Sequence, residues 1–226
     1  METKQLTASQ IGYVSSYIQS FDIKWYELQV ELTDHFVSIM EEIWNEDKEL
    51  TFHQVKYRAE QRFGRNCFKE IEEERTKALR KEHKRVQFKM VGEYLKFPKI
   101  VLSILMVVVV YRISFYFEDI SLYIKNLFGI LLCGSALSIF NWVRYRKING
   151  ERFLSIETAY SMNNSAIIFS YGAIMLAKNF KDNFNENHLK FLPFCCLWVL
   201  GLLLVNTGRY LTNKVVSDIK KQYKFT

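Results

Sequence analysis

Apolar residues are distributed along this chain in two different ways. Through the first 96 residues they recur singly, at helical spacing, among charged positions; beyond that they run together in long blocks. In the first part, Thr7-x-x-Gln10 precedes Ile11, Val14 and Ile18, and predicts a capped short helix to about Ser20. Asp22 is expected to cap a longer helix through KWYELQVELTDHFVSIMEEIW, where Leu28, Val30, Leu32, Phe36, Ile39, Met40 and Ile43 approximate a helical stripe. Thr51-x-x-Gln54 is a second capping box, and Gly64 closes the helix it opens. Asn66 is expected to cap a fourth, long and charged helix in which Phe68, Ile71, Leu79, Val86 and Met90 keep helical spacing. Pro98 then marks a kink or a fresh start.

The second part holds four apolar blocks, at about 99–117, 122–143, 153–177 and 191–211. Each is near the roughly 20 residues that a helix needs to cross the hydrocarbon core of a bilayer. Backbone groups cannot go unpaired in lipid, so such blocks read as helices. The third block is the weakest, because it carries Glu157, Asn163 and Asn164. Gly129, Cys133, Gly134 and Ser138 give the second a small-residue face suited to close helix packing.

Charge sets the orientation. The near-zero mean hydropathy averages two unlike halves. Residues 1–96 hold 16 Lys and Arg against 17 Asp and Glu, whereas residues 97–226 hold 15 against 7. The excess positive charge falls between apolar blocks, which fits a membrane and argues against a nucleic-acid partner, since that would need a basic face on a soluble surface. LRKEHKRVQFK and RYRKINGER are strongly basic, EDISLYIK is nearly neutral, KNFKDNFNENHLK is mixed, and the tail after Arg209 is basic again. This alternation places both termini in the cytoplasm. Tyr111, Tyr116, Trp142, Tyr145 and Tyr210 fall near span ends, where amphipathic rings prefer to sit. The start, METKQLTASQ, has no basic segment followed by an apolar stretch, so no cleavable signal peptide is expected. The fold class is therefore all-α. A cytoplasmic helical domain of about four helices (1–96) precedes a four-helix transmembrane bundle with a basic cytoplasmic tail (97–226).

Candidate functional residues are few. The four cysteines, Cys67, Cys133, Cys195 and Cys196, have no metal-ligand spacing and read as small hydrophobes. Glu31, Asp34 and His35 stand out in the first domain, with Glu31 and His35 one helical turn apart. A metal site there would need ligands from other helices, and only His53 and His83 are on offer in that half. A hydrogen-bonded His–carboxylate pair tying the helices together is the expected reading, with a pH-sensing role for His35 as a further option. In the spans, Arg112 is expected to snorkel to the outer headgroups. Glu157 is expected to reach the interface or to pair with Arg144, Arg146 or Arg152. Asn163 and Asn164, with Asn141 and Asn206, suit interhelical hydrogen bonding. No catalytic residue, cofactor or metal is expected, because the chain shows no Ser/His/Asp set, paired intramembrane carboxylates or metal-spaced cluster.

The order of these pieces, with YELQVELTDHFVSIMEEIW, then RAEQRFG, then a charged helix leading into spans, resembles a group of uncharacterised bacterial four-span membrane proteins. Residues 7–96 are similar to their N-terminal HAAS domain, a small helical signalling domain. Its acidic-His element would be Glu31, Asp34 and His35, and its Phe/Leu-Gly step Phe63 and Gly64. The chain departs from that pattern in NEDKEL, where a glycine often precedes the third helix. The resemblance implies the bacterial cytoplasmic (inner) membrane and signalling beside PadR-like regulators. The expected function is a non-enzymatic membrane protein presenting residues 1–96 to another membrane or cytoplasmic protein, as a sensor, regulatory adaptor or accessory subunit. The basic end of that domain is also placed to meet anionic lipid headgroups. The oligomeric state is left open. The alternative is a small transporter or channel using Arg112, Asn163 and Asn164.

Overall fold

Both capping boxes form. The computed structural model describes residues 4–64, 67–179 and 188–223, without the side chains at 67, 68, 163–166 and 188. Among these residues the regular structure is helical, with no strand. Helix α1 (Ala8–Gln19) starts where the Thr7 hydroxyl accepts the Gln10 N–H at 3.4 Å, while the Gln10 side chain accepts the Thr7 N–H at 2.9 Å. Thr51 and Gln54 repeat the arrangement at the same distances ahead of α3 (Phe52–Phe63). Gly64 ends α3 at φ 76°, a conformation that a Cβ makes costly, and its N–H returns to the Glu60 carbonyl.

The start of α2 (Tyr26–Glu46) differs from the expectation. Asp22 does not cap it; it takes φ 57° in the preceding turn, and the helix begins after Trp25 with no side-chain cap. The Tyr26 N–H instead donates to the backbone carbonyl of Arg152 at 2.8 Å. A distant segment thus satisfies one of the donors that a helix start leaves unpaired. That segment turns on Asn149 and Gly150, both at positive φ, with Ile148 and Glu151 exchanging two 3.0 Å hydrogen bonds. Asn-Gly is the pair that such a turn favours.

Two compact units divide the chain. The first comprises Met1–Ala78 and Lys147–Leu154. Its core is built on Leu28, Leu32, Phe36 and Met40, spaced four apart on α2. Val14 and Ile18 of α1 and Val55, Ala59 and Phe63 of α3 close around them. Ile148, Phe153 and Leu154 are also buried. The unit boundary falls within the long, charged helix α4 (Cys67–Tyr94), whose proposed cap Asn66 lies outside the described residues. In its first turns Glu72 accepts the Trp25 indole N–H.

The second unit comprises the rest of α4, then α5 (Lys99–Ile113), α6 (Ile120–Tyr145), α7 (Leu154–Asn179) and α8 (Leu192–Gln222). Pro98 marks a fresh start, since α4 stops at Tyr94 and α5 begins at Lys99. Lys99–Tyr116, Ile120–Tyr145 and Leu189–Gln222 are each long and apolar enough to cross a membrane. Their outward faces are apolar too: Leu102, Leu105 and Val108 on α5 and Ile130, Leu137 and Phe140 on α6 are exposed. So much contiguous apolar surface suits lipid and not water. Helix α7 is as long as α6, at 26 residues.

Close packing occurs elsewhere than on the small-residue face of α6. Cys133 is exposed, and a Cβ added at Gly129 or Gly134 would meet nothing within 4 Å among the described residues. The tight approach is at Gly201 of α8, where a Cβ would come within 2.8 Å of Leu131 Cδ1 and 3.4 Å of the Phe169 ring. One turn earlier, the Trp198 indole N–H donates to the Leu127 carbonyl at 2.8 Å. Ser138, from the same predicted face, is buried.

Candidate functional site

In the first unit, Glu31, Asp34 and His35 are all exposed on α2. The expected Glu31–His35 hydrogen bond does not form. Glu31 faces Arg75 at 3.8 Å, an exposed pair of the kind that contributes little. His35 sets its ring edge-on to Phe63, with centroids 5.5 Å apart. Asp34 accepts the Ser38 hydroxyl through its backbone carbonyl. No group of three or more His, Cys, Asp or Glu converges among the described residues.

Next to His35 lies a feature that the sequence does not announce. A groove of about 870 Å³ runs along α1 and α3, with Phe36 and Phe63 at its floor and Tyr17, Phe21 and Tyr57 along its sides. Tyr57 is 61% exposed and Phe21 39%. Lys56 spans the rim, its ammonium 4.0 Å from the Tyr17 ring centroid and 2.9 Å from Glu60. Tyr17 and Tyr57 come from helices whose inner positions are taken by Val14, Ile18, Val55 and Ala59, so the helical phase itself turns aromatic rings outward.

In the second unit, polar residues gather between α6 and α7. A cavity of about 340 Å³ is lined by Ser135, Ser138 and Trp142 of α6 and Glu157, Tyr160 and Ser161 of α7. Of the two roles expected of Glu157, the pairing with Arg144, Arg146 or Arg152 does not form among the described residues. Glu157 accepts the Trp142 indole N–H at 3.0 Å. Arg144 lies over Tyr145, Arg146 over Trp142 and Arg152 over Trp25. Arg209 of α8 reaches in beside this cavity, donating from Nε to the Ser138 hydroxyl at 3.3 Å and from Nη2 to the Gly134 carbonyl at 2.9 Å. The Tyr160 hydroxyl is buried with no hydrogen-bond partner among the described residues. Of the other span residues singled out, Arg112 is exposed in the last turn of α5, Asn206 is exposed on α8, and the Asn163 and Asn164 side chains lie outside the described residues.

No family model, curated protein or solved structure matches the chain. The geometry therefore speaks alone.

Two more buried polar groups tie α4 into the second unit. The Gln87 amide donates to the Leu204 carbonyl at 3.0 Å, and His83 Nδ1 lies 3.3 Å from the Thr158 hydroxyl. Burial pushes the His83 imidazole below its usual pKa, against the opposing pull of Glu82. A neutral ring suits the Thr158 contact. Sequence reasoning found Glu157 but missed Ser135, Tyr160, Ser161 and Arg209. Serines and tyrosines are ordinary in such helices, and only the fold shows that Ser135, Tyr160 and Ser161 line one cavity with Arg209 beside it.

Proposed function

We propose that this chain is a four-span membrane protein with both termini in the cytoplasm, and that its N-terminal helical unit is a protein-interaction module. It acts without catalysis, as a sensor, regulatory adaptor or accessory subunit of a membrane complex. The observation that carries this reading is the aromatic groove of the first unit. A groove walled by tyrosine and phenylalanine, with a charged rim, is suited to take an apolar residue from a partner's helix. The exposed Phe21 and Tyr57 side chains supply area that no buried core position needs. The resemblance to HAAS-type signalling domains points the same way, and with it a bacterial inner membrane.

Affinity purification from native membranes in mild detergent tests the proposal. A partner is expected to co-purify, and Phe21→Ala with Tyr57→Ala should cut its capture by about tenfold or more while the fold persists. A reproducibly solitary monomer, or undiminished capture by the double variant, would overturn the module. Topology has its own check. A tag at Thr226 is expected to be unreachable from outside intact cells, and labelling there from the outside alone would remove the four-span arrangement.

A further inference from the structure

The lining of the α6–α7 cavity is rich in hydrogen-bond acceptors. The Ser135 hydroxyl donates to the Leu131 carbonyl at 2.9 Å and the Ser161 hydroxyl to the Thr158 carbonyl at 2.7 Å. Their protons are thereby committed to the backbone, and their lone pairs remain available toward the cavity. The Ser138 oxygen already accepts from Arg209. Glu157 adds a half-buried carboxylate that can accept several hydrogen bonds and receives one, from Trp142. It makes no ion pair among the described residues. Tyr160 is only 7% exposed, and its hydroxyl has no partner among the described residues. A buried polar atom left unpaired is costly unless something else comes to satisfy it.

Glu157 is the charged group on the cavity wall, with Arg209 beside it and held by Ser138 and Gly134; the acceptor oxygens, indole and phenol there suit a guest that is cationic and carries several N–H donors. We propose that this cavity is a binding site for a primary ammonium group, held by the Glu157 carboxylate and the Tyr160 hydroxyl. A quaternary ammonium would not serve, because it has no N–H to give to the serine and tyrosine oxygens. A volume of about 340 Å³ accepts an aminoethyl group with room for its attachment. Trp142 lies one turn from the end of α6, a helix able to cross a membrane, and Glu157 lies in the first turn of α7. The cavity is then at headgroup depth. The ammonium can come from an ethanolamine lipid or from a soluble alkylamine.

The test uses the full chain in nanodiscs of phosphatidylcholine, with and without phosphatidylethanolamine, and a parallel titration of hexylamine into the phosphatidylcholine discs. Thermal stability and native mass spectrometry report binding. Retention of phosphatidylethanolamine over phosphatidylcholine would assign the lipid as source, and a hexylamine response without lipid preference would assign a soluble amine; either supports the site. Glu157→Gln should weaken whichever guest binds by about tenfold or more, the scale of a lost charged hydrogen bond. Tyr160→Phe removes an atom that bonds nothing among the described residues, so it should weaken binding by several-fold without loss of helicity. It decides the question should Glu157→Gln fail to fold. No selective binding by the wild type, or equal binding by the wild type and Tyr160→Phe, would overturn the proposal.

Discussion

Phe36→Ala is expected to unfold the N-terminal unit while leaving the helices of the second unit intact. Phe36 is fully buried, with Tyr17 and Phe63 rings at 5.8 Å and 5.6 Å. Truncating such a ring to a methyl group costs about 3–5 kcal/mol, part in lost transfer energy and part in the cavity left behind. A small domain has about 5–15 kcal/mol in all, so the loss takes a large share. The neighbours cannot easily collapse into the gap. Leu32 and Met40 are held one turn away on the same helix, and Phe63 is fixed by the end of α3 at Gly64. Hydrogen exchange on the detergent-purified chain reads the outcome. Amides of α1 to α3 should lose protection, and those of α6 and α8 should keep it. Uniform protection would mean that the core is not centred on α2.

Gly201→Leu should part α6 from α8. A Cβ there already comes within 2.8 Å of Leu131 Cδ1. Alanine is tolerable, because the atom it meets ends a flexible side chain. Leucine is not, because the Phe169 ring blocks the other side at 3.4 Å. Overpacking of this kind costs about 1–3 kcal/mol, and the argument does not depend on water, since helix association in lipid rests on packing. The variant should melt well below the wild type in detergent. Leu131→Ala in the same chain should restore much of the loss, and that coupling is the sharper measurement. An additive double variant would show that the two residues do not meet.

Local signals were legible where the physics is local. Thr7 with Gln10, Thr51 with Gln54, and Gly64 each act within one turn of the chain, and each does what its spacing predicts. The stripe on α2 was legible for the same reason, since burial follows helical phase. Signals failed where the deciding partner is remote in sequence. Asp22 has the chemistry of a cap, but the Arg152 carbonyl does that work from the other end of α6. Glu157 has three arginines nearby in sequence, yet the Trp142 indole reaches it, because α6 lays that ring alongside the first turn of α7. Gly129 and Gly134 look like packing glycines, yet a Cβ at either would meet nothing among the described residues, and the contact falls at Gly201. A small residue shows that a close approach is allowed; a neighbouring helix decides whether it happens. The aromatic groove was invisible for a related reason: its rings are separately unremarkable and become a surface only when α1 and α3 both pack against α2.

The hydrogen bond from Tyr26 to Arg152 also fixes an order of events at the ribosome. The N-terminal unit includes residues 147–154, which leave the exit tunnel only after α5 and α6 have been made. Synthesis proceeds from the N-terminus, and domains usually fold as they emerge. Here the first unit is complete only after α5 and α6, both apolar enough to cross a membrane, have been made and the Asn149–Gly150 turn has followed them.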